Sequence, residues 1–129
     1  MINTQKYNNP VGVFDSGLGG LTVLKYLLKK FPNQDFIYLG DLANLPYGNK
    51  SKAKIIDYSI QCAQFLESKK VQSIVIACNT ASSYALKSVQ AKVSVPVFDV
   101  INPCVQKVAN ANSEAIAILG TEKTIESKI

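Results

Sequence analysis

The sequence predicts an α/β fold, a parallel sheet flanked by helices. Three observations carry that expectation. Short apolar runs alternate with longer amphipathic stretches, as in successive β-α-β units. Polar clusters come directly after the apolar runs: Asp15-Ser16, Asp41, Cys78-Asn79-Thr80 and Gly120-Thr121. In a parallel sheet such clusters fall along one edge, at the strands' carboxyl ends. Finally, 129 residues at 47% hydrophobic content suffice for one domain with a real core.

The elements are taken in chain order. Val11-Gly12-Val13-Phe14 reads as a buried strand, and Asp15-Ser16-Gly17-Leu18-Gly19-Gly20 as a glycine-rich turn. Leu21 to Phe31 is a helix with Leu21, Leu24, Leu27 and Leu28 on one face, stopped by Pro32-Asn33. Phe36 to Gly40 is a second strand, and a loop runs from Asp41 to Asn49. Ser51 can cap a helix to about Lys70, with Ile55, Tyr58, Cys62, Phe65 and Leu66 on its apolar stripe. Ser73 to Ala77 is a third strand running into Cys78, and Asn79 to about Gln90 a helix. Val95 to Phe98 is a short fourth strand, and Pro103 suits the first position of a helix to about Asn110. Ala115 to Leu119 is expected as a fifth strand. The residues beyond it are too few for another complete β-α unit.

Composition excludes several function classes. No apolar run approaches the roughly 20 residues of a membrane helix. The N-terminus lacks the apolar region of a signal peptide, so a cytoplasmic location is expected. The net charge of +5 comes from 14 basic residues, all lysine and mostly scattered. Nucleic-acid readers favour the guanidinium fork, so the lysines read as solvated helix faces and no nucleic-acid partner is expected. Their field could still draw in a small anion. Histidine is absent, which removes Ser-His-Asp and Cys-His pairs within the chain. Three widely spaced cysteines read as free thiols, and no metal site is expected.

The chemistry-bearing residues are few. The glycine loop lacks the third glycine of a dinucleotide fingerprint, and no phosphate-loop lysine comes after it. It is either a tight packing turn or a mouth at which Asp15 and Ser16 meet a ligand. Cys78 ends a strand and opens a helix, where the helix N-terminus favours thiolate. Asn79 and Thr80 beside it are donors suited to a carboxylate. The alternative is a buried cysteine acting as a small hydrophobe. Cys62, on an apolar helix stripe, reads as core. Cys104 has no site-like neighbours. Tyr47 either lids a ligand or caps the core.

Together these motifs resemble one family. Gly12 to Leu24, Tyr38-Leu39-Gly40-Asp41, Leu45-Pro46-Tyr47-Gly48, Lys50-Ser51, Ile76 to Ser82, and Ile118-Leu119-Gly120-Thr121 with Thr124-Ile125 and Ser127 are similar to glutamate racemases in order and spacing. The resemblance runs from about Pro10 to the end. It implies cofactor-independent, two-base interconversion of L- and D-glutamate for peptidoglycan synthesis. It also implies catalytic roles for Cys78 and Asp15, and substrate contacts from Asp15, Ser16, Tyr47, Gly48, Asn79, Thr80 and Thr121. The implied architecture is the first domain of a two-domain racemase fold, truncated. Residues 1–97 form the first α/β domain, without its C-terminal elements, and residues 98–129 start the second.

The family's second catalytic cysteine, with a histidine beside it, comes from a later segment that this sequence does not contain. A half-site, inactive alone, is therefore expected. The alternatives are a racemase of another acidic amino acid such as aspartate, and a non-catalytic module that associates through exposed apolar surface, including as a homodimer.

Overall fold

The computed structural model describes residues 9–111 and 115–129. Four strands, β1 (Val11–Asp15), β2 (Phe36–Gly40), β3 (Ser73–Ile76) and β4 (Val97–Asp99), form one parallel sheet in the order β2-β1-β3-β4. Helix α1 (Leu21–Lys30) joins β1 to β2, α2 (Lys52–Ser68) joins β2 to β3, and α3 (Asn79–Gln90) joins β3 to β4. Helix α4 (Ile101–Ala109) and the short α5 (Glu122–Glu126) come after β4.

Right-handed crossovers decide where the helices lie. The step from β1 to β2 runs one way along the sheet, and the steps from β2 to β3 and from β3 to β4 run the other way. So α1 covers one face and α2 and α3 the opposite one. The second face holds the core. Phe14, Ile74 and Ile76 pack with Ile55, Ala63, Leu66, Ala81, Ala85 and Val89, all fully buried. Gly12 permits the close approach of α2: a Cβ there would lie 3.1 Å from Leu66 Cδ1 and 3.3 Å from Val71 Cγ1.

Most elements stand where the sequence places them, with local differences. Ser51 caps α2, its hydroxyl accepting from Lys54 N at 3.4 Å. Strand β4 begins at Val97 rather than Val95. Helix α4 begins two residues before Pro103, because the Asp99 carboxylate accepts from Ile101 N at 2.7 Å and Asn102 N at 2.8 Å. On α1, Leu24 and Leu27 are half-buried, but Leu21 and Leu28 remain exposed.

The fifth strand does not form. Residues 115–120 are irregular and exposed, Leu119 at 99%. A strand needs a neighbour for its backbone groups, and no strand among the described residues pairs with this run. The segment beyond it does dock, through the N-terminus of α5.

Candidate functional site

The site begins with a sheet edge. Phe14 of β1 is in register with Ile76 of β3, so the two strands end side by side. Beyond them the chain diverges: from β1 towards β2 on one flank, from β3 towards β4 on the other. In open α/β sheets the crevice at such a switch of strand order is where ligands bind. The residues that line it are Asp15-Ser16-Gly17 after β1 and Cys78-Asn79-Thr80 after β3.

The turn after β1 is tightly held. Asp15 is 6% exposed, and its Oδ2 accepts from Gly17 N at 2.9 Å. The Asp15 carbonyl accepts from Asp41 N at 2.9 Å, tying the turn to the end of β2. Gly20 lies against this turn, where an added Cβ would fall 2.6 Å from Asp15 Cβ and 2.9 Å from Ala77 Cβ. Beneath it, the Tyr38 hydroxyl donates to the Gly17 carbonyl at 2.9 Å. Burial, with the neighbouring charges of Asp15 and Cys78, pushes this phenol up to about 12, so it stays a neutral donor.

Cys78 is the N-cap of α3. Its backbone is extended, and its sulfur accepts from Ala81 N at 3.4 Å. The same sulfur lies 3.4 Å from Ser16 Oγ, as donor to it in the thiol form. An anionic sulfur at this position would be met by a helix N–H and, after rotation, by the serine hydroxyl. Cys78 as a whole is 6% exposed.

A second polar locus adjoins the first. Thr80 Oγ1 lies 2.9 Å from Thr121 Oγ1 and 3.4 Å from Thr124 Oγ1, and the latter two are 3.0 Å apart. Thr121 also caps α5 by accepting from Thr124 N at 3.3 Å. Gly48 packs on this cluster, because a Cβ there would meet Thr121 Cβ at 3.2 Å. Three hydroxyls thus converge two residues from the thiol, along the first turn of α3.

Of the residues singled out in the sequence, Asp15, Ser16 and Cys78 meet at the first locus, and Gly48, Thr80 and Thr121 at the second. Asn79 is exposed at the first position of α3. Tyr47 is different. Its ring is buried, and its hydroxyl donates to Asp41 Oδ2 at 2.7 Å and lies 3.9 Å from Cys62 Sγ. The side chain caps the core rather than lidding the crevice. Cys62 is buried beside it, with its thiol pushed up to about 11 by burial and by the Asp41 charge. Cys104 is exposed on α4. Tyr38 was not legible as part of the site. Its signals were a place in the Tyr38-Leu39-Gly40-Asp41 motif and a position two residues before the end of β2, and neither names the Gly17 carbonyl as its partner. Among the described residues no group of three His, Cys, Asp or Glu side chains could hold a metal ion, and no helix is long and apolar enough to cross a membrane.

Comparison with known proteins points the same way as the geometry. Residues 21–129 match the family model described as Asp/Glu/Hydantoin racemase. Glutamate racemase of Aquifex pyrophilus is 48% identical over 118 residues, which are 91% of this chain and 46% of that protein. Glutamate racemase of Thermus thermophilus is 46% identical over 118 residues, 92% of the chain and 45% of the relative. The solved structure of the Aquifex pyrophilus enzyme superposes with a TM-score of 0.88, covering 92% of this chain and 47% of that one. That of Francisella tularensis glutamate racemase, in complex with D-glutamate, superposes with a TM-score of 0.87 at 47% identity, covering 94% and 46%. The chain therefore spans about half the length of the relatives it matches.

Proposed function

The chain belongs to the Asp/Glu/hydantoin racemase family, and from that premise we propose that it supplies one half of a glutamate racemase site, with Cys78 as one of two opposed acid/base groups. The observation that carries this reading is the placement of the Cys78 thiol. It sits between an α3 N–H and the Ser16 hydroxyl, at the switch of strand order, beside the Thr80–Thr121–Thr124 hydroxyls. Binding of D-glutamate by the Francisella relative supports glutamate as the substrate.

The chemistry follows from the substrate. The α-proton of an amino acid is weakly acidic, so inversion without a cofactor needs a base on each face and stabilisation of the carbanion-like state. The Cys78 thiolate would take the proton from Cα, leaving the electron pair delocalised into the α-carboxylate. An acid on the opposite face would return a proton there. Donors for the carboxylate are the hydroxyls of Thr80 and Thr121, the Asn79 amide, and backbone at Tyr47–Gly48, since the Tyr47 hydroxyl is engaged with Asp41. Ser16 supports the thiolate, and Asp15 fixes the turn that presents it. Lysine-rich surface, at a net charge of +5, favours approach of an anionic substrate.

The site holds one thiol, because Cys62 is buried beside Tyr47 and Cys104 is exposed on α4. The 129-residue chain alone is accordingly expected to bind glutamate without racemising it. The division into a first domain to residue 97 and the start of a second from 98 belongs to the same reading, as does a place in cytoplasmic peptidoglycan synthesis. Glutamate is expected to slow iodoacetamide alkylation of Cys78 and leave Cys104 untouched, with no circular-dichroism evidence of racemisation. Equal or better protection by aspartate would redirect the substrate assignment. Robust turnover abolished by Cys78→Ser would point to an assembly that brings in a second base.

One observation also favours self-association. Leu21, Leu28, Phe98 and Val105 are exposed, and strand register places Phe98 on the sheet face opposite the core. Exposed apolar side chains of this kind are what an interaction face presents. Light scattering at rising concentration tests it, and a monomer throughout would exclude the homodimer.

A further inference from the structure

We infer that Tyr38 is a positioning residue for the thiol site: its hydroxyl, by holding the Gly17 carbonyl, fixes the turn that keeps Ser16 against Cys78. The inference rests on the reading of Cys78 as the reactive group.

Tyr38 is in register with Val13, which places it on the same sheet face as Val13 and Asp15. Its ring therefore rises from β2 beneath the turn after β1. Two glycines make room for this contact. A Cβ at Gly20 would lie 3.1 Å from the Tyr38 oxygen. One at Gly40 would lie 2.5 Å from the Gly17 oxygen and 3.5 Å from Tyr38 Cε1. The Gly17 carbonyl is thus seated between the end of β2 and the phenol, and accepts from the phenol at 2.9 Å. The opposite side of the same residue donates its N–H to Asp15 Oδ2 at 2.9 Å. Gly17 is fixed through both its peptide groups, which leaves Ser16, between Asp15 and Gly17, little freedom to leave the sulfur 3.4 Å away. A phenylalanine at position 38 would fill the same volume and lose only this donor.

The test uses thiol chemistry and needs no substrate. Alkylation of Cys78 by iodoacetamide is followed by peptide mass spectrometry across pH in the parent chain, Tyr38→Phe, Ser16→Ala and the double variant. Each single substitution should slow Cys78 alkylation near neutral pH by about five-fold, the weight of one ordinary hydrogen bond. The double variant should be no slower than the slower single one, and Cys104 should react at the parent rate throughout. Unchanged or faster alkylation of Cys78 in Tyr38→Phe would overturn the proposal, as would multiplicative losses in the double variant or parallel changes at Cys104. A second measurement needs no variant. The Tyr38 hydroxyl proton of the parent chain should give a slowly exchanging NMR resonance with a cross-peak to the Gly17–Leu18 peptide, and a freely exchanging proton overturns the assignment. Failure of glutamate to bind would sink the racemase reading and leave both results standing.

Discussion

Ser16 Oγ and Cys78 Sγ lie 3.4 Å apart although 62 residues separate them in the chain. The contact exists because β1 and β3 are adjacent and in register, so that the residues after each strand meet. Cys78 carries two loads in that position: it caps α3 through its sulfur, and it offers the thiol to the crevice.

The two loads are separable. Cys78→Ala removes the acceptor for Ala81 N and is expected to lower stability by about 1 kcal/mol, the usual weight of an N-cap. Cys78→Ser restores a cap acceptor of shorter reach and should recover most of that loss in a urea titration. Both variants should abolish the thiol's chemistry equally. A serine variant as destabilised as the alanine variant would show that the cap contributes nothing.

Gly20 is the next point at which geometry makes a firm demand. An alanine there would bring its Cβ to 2.6 Å from Asp15 Cβ and 2.9 Å from Ala77 Cβ, both on strand ends that cannot yield easily. Overpacking of this kind costs about 1–3 kcal/mol. Gly20→Ala is therefore expected to lower the urea midpoint and also to change Cys78 alkylation, because Asp15 opens the turn that bears Ser16. Gly19→Ala, whose nearest neighbour would be Asp15 Oδ2 at 3.8 Å, is expected to do neither.

What the sequence displayed and what it withheld divide along physical lines. The start of helix α3 and both ends of strand β2 were legible to the residue, because their signals are local: a strand-to-helix junction, a run of apolar residues, a glycine stop. The meeting of Asp15-Ser16 with Cys78 was legible as an expectation, since parallel strands end on one edge. The start of α4 was not, because the signal lay in the Asp99 side chain rather than in Pro103. Residues 115–119 have the composition of a strand, but composition cannot supply the neighbour that a strand requires. Tyr47 was legible only as two alternatives, a ligand lid or a core cap, and the role of the Tyr38 hydroxyl was not legible, for a third reason. Which way a tyrosine turns depends on partners its own segment does not reveal, the Asp41 carboxylate for one and the Gly17 carbonyl for the other.

Tyr47, a proposed site residue, has a structural side chain. Its hydroxyl binds Asp41, whose carboxylate also accepts from Asn44 Nδ2 at 3.0 Å. Tyr47→Phe keeps the buried ring and removes a hydrogen bond to a charged group, a loss of about 1.5–3 kcal/mol. Thermal or urea unfolding measures it. If Tyr47–Gly48 meets the substrate through backbone, glutamate protection of Cys78 should persist in the folded variant. Loss of protection with the fold intact would place the hydroxyl itself at the ligand.

Alkaline pH gives the remaining test, and its sign follows from the direction of two shifts. Burial and the Asp41 charge raise the Cys62 thiol from 9.0 to about 11 in the folded chain. Burial with the charges of Asp15 and Cys78 raises the Tyr38 phenol from 10.0 to about 12. In each case the folded state holds its proton more tightly than the unfolded chain, so the associated stability is fully present below the unfolded value and lost as pH rises through the folded one. Stability from these two groups should hold up to about pH 9, decline through the Cys62 window to about 11, and decline further through the Tyr38 window to about 12. In Cys62→Ala the first part of the decline disappears, and the fall begins instead near pH 10, where the raised phenols of Tyr38 and Tyr47 take over. In Tyr38→Phe the first part remains and the fall above pH 10 becomes shallower without disappearing, because burial and the hydrogen bond to Asp41 also raise the Tyr47 phenol. Urea midpoints measured from neutral to about pH 12 in the three proteins resolve the two windows, and a parent chain whose stability rises across that range would contradict both assignments.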